Sequence, residues 1–175
     1  MSILELLGLG PSHNQSSSAT SSAAVREIVE RLRDLPPERA RWIAAFALVL
    51  ARGARADLEI SSDELRVISD VVRRQAGLSS EQAVLVAELA ARGNQLLGAS
   101  EEYLATREFR NLADDGDAER LLDCLFAVAA ADDSITLVEE EELRQIANEL
   151  GIEHRQFTTI RSRYRDQREV LRDSP

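Results

Sequence analysis

The chain predicts an all-α fold: a single-domain helical bundle of about seven to eight helices with an internal duplication. Three observations carry this. Apolar residues recur at helical spacing in segment after segment, and no segment alternates with a period of two over a useful length. Aromatic residues make up only 4% of the chain while Ala, Leu and Glu are abundant, which favours helix over sheet. An acidic eight-residue pattern occurs twice, each time between two helical patterns. At 175 residues the chain can bury one hydrophobic core without dividing into two full domains.

Ser2 to Leu9 is a short apolar-acidic stretch with the character of one or two helical turns, able to dock on the core or on a partner. Gly10 to Ser22 is Ser-rich and carries too little apolar surface to offset the entropy of ordering, so residues 1–22 read as a short segment plus flexible linker. From Ala23, Val25, Ile28, Val29 and Leu32 follow one helical face. Pro36-Pro37 stops that helix and opens the next, because proline suits a first turn. The second helix carries Ile43, Phe46, Ala47 and Leu50 on one face, and Trp42, Leu48 and Val49 make it apolar nearly all round. That is the pattern of a central, buried helix.

A helix over Ser62 to Ala76 presents Leu65, Ile68 and Val72, with Gly77 as its C′ residue. Ser79-Ser-Glu-Gln82 reads as a capping box opening a longer helix with Val86, Leu89, Ala90, Gly93, Leu96 and Leu97 in one stripe. Gly98-Ala-Ser100 breaks the pattern. A short helix over Glu101 to Leu112 is expected to turn Tyr103 and Phe109 inward. Asp117 can cap a helix from Ala118 to Ala131 bearing Leu122, Leu125, Phe126 and Ala129. The next helix carries Leu143, Ile146, Ala147 and Leu150 and ends at Gly151. The last, from about Glu153, carries Phe157, Ile160 and Tyr164 before becoming Arg-rich.

The repeated octets are Asp57-Leu-Glu-Ile-Ser-Ser-Asp-Glu64 and Asp132-Asp-Ser-Ile-Thr-Leu-Val-Glu139. Equivalent positions lie 75 residues apart, and Gly77-Leu78 and Gly151-Ile152 lie 74 apart. Each unit runs apolar helix, acidic turn, helix, Gly-apolar turn, helix, giving repeat halves of about 40–97 and 118–165. Halves this small cannot each bury a core, so they are expected to pack as one domain.

An Asp-x-x-Ile-[Ser/Thr]-x-x-Glu pattern after an Ala-rich helix, duplicated in an all-helical chain, resembles the TerB family of tellurite-resistance proteins. That family includes the helical N-terminal segment of membrane-anchored DnaJ-like co-chaperones; no J-domain motif is present here. The likeness covers roughly Ala23 to Tyr164, within a domain taken as 23–175. The family usually has Gly after the first acid, where this chain has Leu58 and Asp133. The resemblance implies a compact helical bundle with an acidic surface able to bind metal, acting in tellurite or general stress response.

The octets contain two kinds of acid. Ser61-Ser-Asp-Glu64 and Thr136-Leu-Val-Glu139 both fit a capping box, in which the hydroxyl takes a helical N–H and the Glu reaches back. Glu64 and Glu139 therefore have a structural explanation. Asp57 and Asp132 end the preceding helices, where the macrodipole disfavours an anion by about 0.3–1 kcal/mol. A residue set against its local preference needs compensation, either from a nearby Arg or from a cation shared with Glu64 or Glu139. The candidate metal set is thus Asp57, Glu64, Asp132 and Glu139, with Ca²⁺ or another divalent cation as ligand. A single EF-hand loop is excluded: counting from Asp132, the sixth and twelfth positions are Leu137 and Leu143, and counting from Asp57 they are Ser62 and Ile68.

A net charge of −10 argues against nucleic-acid or acidic-membrane binding and allows a cation or a basic protein partner. All 21 basic residues are Arg, which removes Schiff-base and phosphate-loop lysine chemistry. Cys124, the single cysteine, sits among Leu121, Leu125 and Val128 as a small core residue. His154 has no ligand partner at zinc spacing. The longest nearly apolar run, Trp42 to Ala51, is about half a bilayer span. No basic n-region precedes the first apolar run, so the protein is expected to be soluble and cytoplasmic, without membrane insertion.

No constellation of reactive groups can be assembled, so a non-enzymatic binding module is expected. The alternative is a metal-free protein–protein scaffold whose octets only cap helices, using Ser2 to Leu9 and the Val86–Leu97 stripe as contacts. Arg155, Arg161, Arg163, Arg165, Arg168 and Arg172 read as a solvated face with local ion pairs, or as a contact to acidic octets in a homodimer.

Overall fold

The structure is a computed structural model, and it describes residues 23–54, 61–96, 102–131 and 134–167. The helices are α1 (Ala23–Arg33), α2 (Pro37–Ala54), α3 (Ser62–Ala76), α4 (Ser80–Ala91), the single turn α5 (Gly93–Leu96), α6 (Glu102–Leu112), α7 (Asp115–Ala130), α8 (Leu137–Leu150) and α9 (His154–Ser162), followed by a 3₁₀ turn Arg165–Gln167. Among the described residues eight of these helices run nine residues or more, and they form one all-helical domain.

Helix α2 is the axis. Ala40 and the unbroken run Trp42 to Gly53 are buried, and α1, α4, α6, α7 and α8 all pack against it. Each large aliphatic or aromatic side chain withdrawn from water in this way contributes roughly 1.5–3 kcal/mol. Trp42, Phe46 and Phe109 form one aromatic cluster, with Trp42 stacked on Phe46 at 5.0 Å and Phe109 edge-on to Phe46 at 5.7 Å. A second cluster joins Phe126 to Phe157 and Tyr164, each with centroids 5.6 Å apart.

The packing is reciprocal. Helix α3, which leaves the first octet, packs on α7, while α8, which leaves the second, packs on α2. Likewise α2 packs on α4 and α7 on α9. Both Gly turns are left-handed, with φ 65° at Gly77 and 78° at Gly151, which is why glycine ends α3 and α8.

Several details differ from the sequence reading. Tyr103 is 54% exposed, because the inward face of α6 is Ala105, Thr106 and Phe109, and a residue six positions before Phe109 lies on another side. Ser79 caps α4 by accepting the Gln82 N–H at 3.2 Å, but the Gln82 side chain accepts from Arg39 Nη2 at 2.8 Å instead of closing a box. The expected long helix stops at Ala91, and α5 follows after Arg92. Helix α7 begins earlier than expected, with Asp114 rather than Asp117 as its N-cap. Asp117 closes the box from within the first turn and also accepts from Trp42 Nε1 at 3.0 Å, satisfying the indole. The stripe offered as a partner surface is core: Val86, Leu89 and Ala90 are at most 3% exposed. Leu97, Gly98 to Ser100, and residues 1–22 lie outside the described residues.

Candidate functional site: two capped turns and the arginine clamps beside them

Both octets end in the expected box. Ser61 Oγ accepts the Glu64 N–H at 3.2 Å, and Glu64 Oε2 accepts the Ser61 N–H at 2.6 Å. Thr136 Oγ1 accepts the Glu139 N–H at 3.2 Å, while Glu139 Oε2 accepts both the Thr136 N–H and its hydroxyl at 2.8 Å. The Ser61 hydroxyl and then its N–H hold the fully exposed Glu64 carboxyl below its ordinary value. Glu64 and Glu139 are thus occupied in starting α3 and α8.

Asp57 and Asp132 lie outside the described residues, as do Glu59 and Asp133. Among the described residues no group of three or more His, Cys, Asp or Glu side chains is arranged to hold a metal ion. The described acids therefore do not make a cation site by themselves.

Two of the four acids of the Glu139–Glu142 run, Glu140 and Glu142, are taken up by arginines from elsewhere in the fold. Arg52, in the last turn of α2, has a side chain only 6% exposed. Its Nε donates to Glu142 at 2.7 Å, its Nη1 to Glu149 at 2.7 Å and to Thr106 at 3.2 Å, and Glu102 stands 3.8 Å away. Burial opposes the Arg52 charge, but hydrogen bonds to Glu149 and Glu142 outweigh it and hold its pKa above the ordinary value. Burial alone would raise Glu149; hydrogen bonds from Arg52 and Gln145 and the charge of Arg52 reverse this and hold it low. One guanidinium therefore joins α2, α6 and α8.

A second clamp closes the other side of α8. Buried Glu140 takes Arg161 Nη1 at 3.0 Å, with Arg144 at 3.7 Å. Arg144 and Arg161 also lie over the Phe157 ring, at 4.7 and 5.8 Å from its centroid. Buried Asp123 accepts from Arg163 Nη1 and from the Tyr164 hydroxyl, both at 3.1 Å. Among the described residues, Arg161 and Arg163 are therefore tied to α8 and α7. Arg168 and Arg172 lie outside the described residues. Burial and the Asp123 charge push the Cys124 thiol well above its ordinary value, which keeps it protonated and unreactive. His154 is exposed at the first position of α9.

Arg52, Asp123 and Glu140 carry this arrangement and were not singled out from the sequence. A signal existed for two of them: Arg52 interrupts a helix that is otherwise apolar, and Asp123 interrupts Leu121-Leu122 and Cys124-Leu125-Phe126. A charge in such a run must find partners.

A helical bundle with paired, box-capped acidic turns is the class that fold and site define. The chain belongs to the tellurite resistance protein TerB family, whose match spans residues 42–162, more than two thirds of its length. Searches of curated proteins and of solved structures gave no match.

Proposed function

We propose that this TerB-family chain is a non-enzymatic cytoplasmic binding module acting in tellurite or general stress response. It binds a divalent cation weakly through the acidic surface of its two turns, with Asp57 and Asp132 as the principal ligands. The observation that carries this reading is the matched box geometry of the two octets. It assigns Glu64 and Glu139 to helix starts, and the boxes do not account for the aspartate that opens each octet. Glu64 and Glu139 contribute at most a spare carboxylate oxygen each. The reciprocal packing of α3 on α7 and α8 on α2 supports an origin of the two halves by duplication, within a domain of residues 23–175 preceded by a short segment and linker.

Calcium titration followed by amide shifts tests this. Shifts centred on both turns, and abolished by Asp57→Asn with Asp132→Asn, are expected. Equal shifts in that double variant rule the site out.

A metal-free scaffold is the second reading, favoured by Leu137 and Val138. These adjacent aliphatic residues of the second octet are 63% and 57% exposed, where the first octet has Ser62 and Asp63. A protein partner contacting them is lost on Leu137→Ser with Val138→Ser, whatever the calcium level. The homodimer reading loses part of its basis, since Arg161 and Arg163 bond within the chain. No helix among the described residues is long and apolar enough to cross a membrane.

A further inference from the structure

Outside the turns, α3 and α4 leave a groove of about 240 Å³ between them, lined among others by Leu65, Arg66, Val84, Ala87 and Glu88. Val84 is 40% exposed on its wall, and Ala87 is buried at its floor. One rim is already occupied by this chain's own N-terminal extension. Helix α1, which precedes the family match, packs on α4 and on α2 and buries Ile28 and Leu32, and Arg31 pairs with the groove residue Glu88. The contact thus continues from α1 to the edge of the groove.

We propose that residues 1–9 fill this groove as an intramolecular ligand, continuing the α1–α4 interface. Three observations select this occupant. Ile3, Leu6 and Leu7 share the i, i+3, i+4 spacing of one helical face, which suits Leu65 and Val84. Glu5 stands between them as the segment's single acidic residue, and Arg66 supplies a cation on the α3 wall, where the groove's own acids, Asp70 and Glu88, pair with Arg73, Arg74 and Arg31. The connection is long enough: Ala23 lies about 12 Å along α1 from Arg31 at roughly 1.5 Å per residue. The thirteen residues from Gly10 to Ser22 span about 20 Å r.m.s. as a coil. Tethering at this distance gives an effective concentration on the millimolar scale, so a weak contact suffices.

The test is methyl NOE spectroscopy on the full chain. Contacts between the methyl groups of Ile3, Leu6 or Leu7 and those of Leu65, Val84 or Ala87 are expected. They should be lost in Val84→Asp, weakened in Glu5→Arg and recovered in Glu5→Arg with Arg66→Glu. Unchanged contacts within the Phe46–Phe109 cluster certify that each variant is folded. Absence of the groove contacts in the wild type overturns the proposal. So does their appearance between differently labelled chains in a mixed sample, which makes the occupant a second copy.

Discussion

The two octets have nearly the same local chemistry and very different surroundings. After the first, α3 buries only Ile68 and Val72, and among the described residues its ion pairs are the long surface contacts of Asp70 with Arg73 and Arg74, at 3.7 and 3.9 Å. After the second, α8 buries Glu140, Leu143, Ile146, Ala147 and Leu150 and is gripped by Arg52 from one side and Arg161 from the other. The Ser61 box is exposed, whereas the Thr136 box is partly buried and holds a third hydrogen bond. A sequence motif thus fixes how a helix starts. The arginines that reach it from other helices decide how firmly the helix is held.

This contrast can be broken most strongly at Arg52. Arg52→Met leaves Glu142 and Glu149 without their cation, and denaturant unfolding should show a loss of about 3 kcal/mol, the lower end for breaking a buried pair. The same clamp should respond to acid. Glu149 has a folded pKa below its ordinary 4.5, so its contribution is complete above that value and is lost as pH falls through the folded one. The Arg52→Met variant should therefore show a flatter stability curve than the wild type below about pH 5. Thr136→Ala should cost about 1 kcal/mol and Ser61→Ala about 0.5 kcal/mol, because the exposed cap exchanges its hydrogen bond for water more readily. Asp70→Asn should change stability by less than about 0.5 kcal/mol, as surface pairs do. Equal costs for Thr136→Ala and Ser61→Ala would remove the distinction between the two turns.

The fold was legible because it depends on short-range patterns. The apolar run Trp42–Ala51 announced a buried axis, and Gly77 and Gly151 announced two helix ends. The two Ser/Thr-x-x-Glu strings announced two boxes, and all of these hold in three dimensions. Tyr103 failed because one aromatic among charged residues does not define a face. The clamps were hidden for a different reason. Arg52 and Glu142 are 90 residues apart, and Arg161 and Glu140 are on separate helices, so no local spacing reports their pairing. The C-terminal arginines looked like a solvated face because intrahelical pairing is the only partner that spacing can offer. Only the tertiary structure shows Glu140 and Glu142 neutralised from outside. That narrows the acidic surface to fewer carboxylates than the Glu139–Glu142 run implies.

The central claim is a division of labour: Glu64 and Glu139 start helices, and Asp57 and Asp132 bind. Thermal unfolding and calcium-induced amide shifts, recorded side by side for Glu64→Ala, Glu139→Ala, Asp57→Asn and Asp132→Asn, test it directly. The glutamate variants should melt lower than the wild type and keep the calcium shifts, whereas the aspartate variants should keep their melting temperature and lose the shifts. Loss of the calcium response in the glutamate variants, with the aspartate variants responding normally, would contradict the claim.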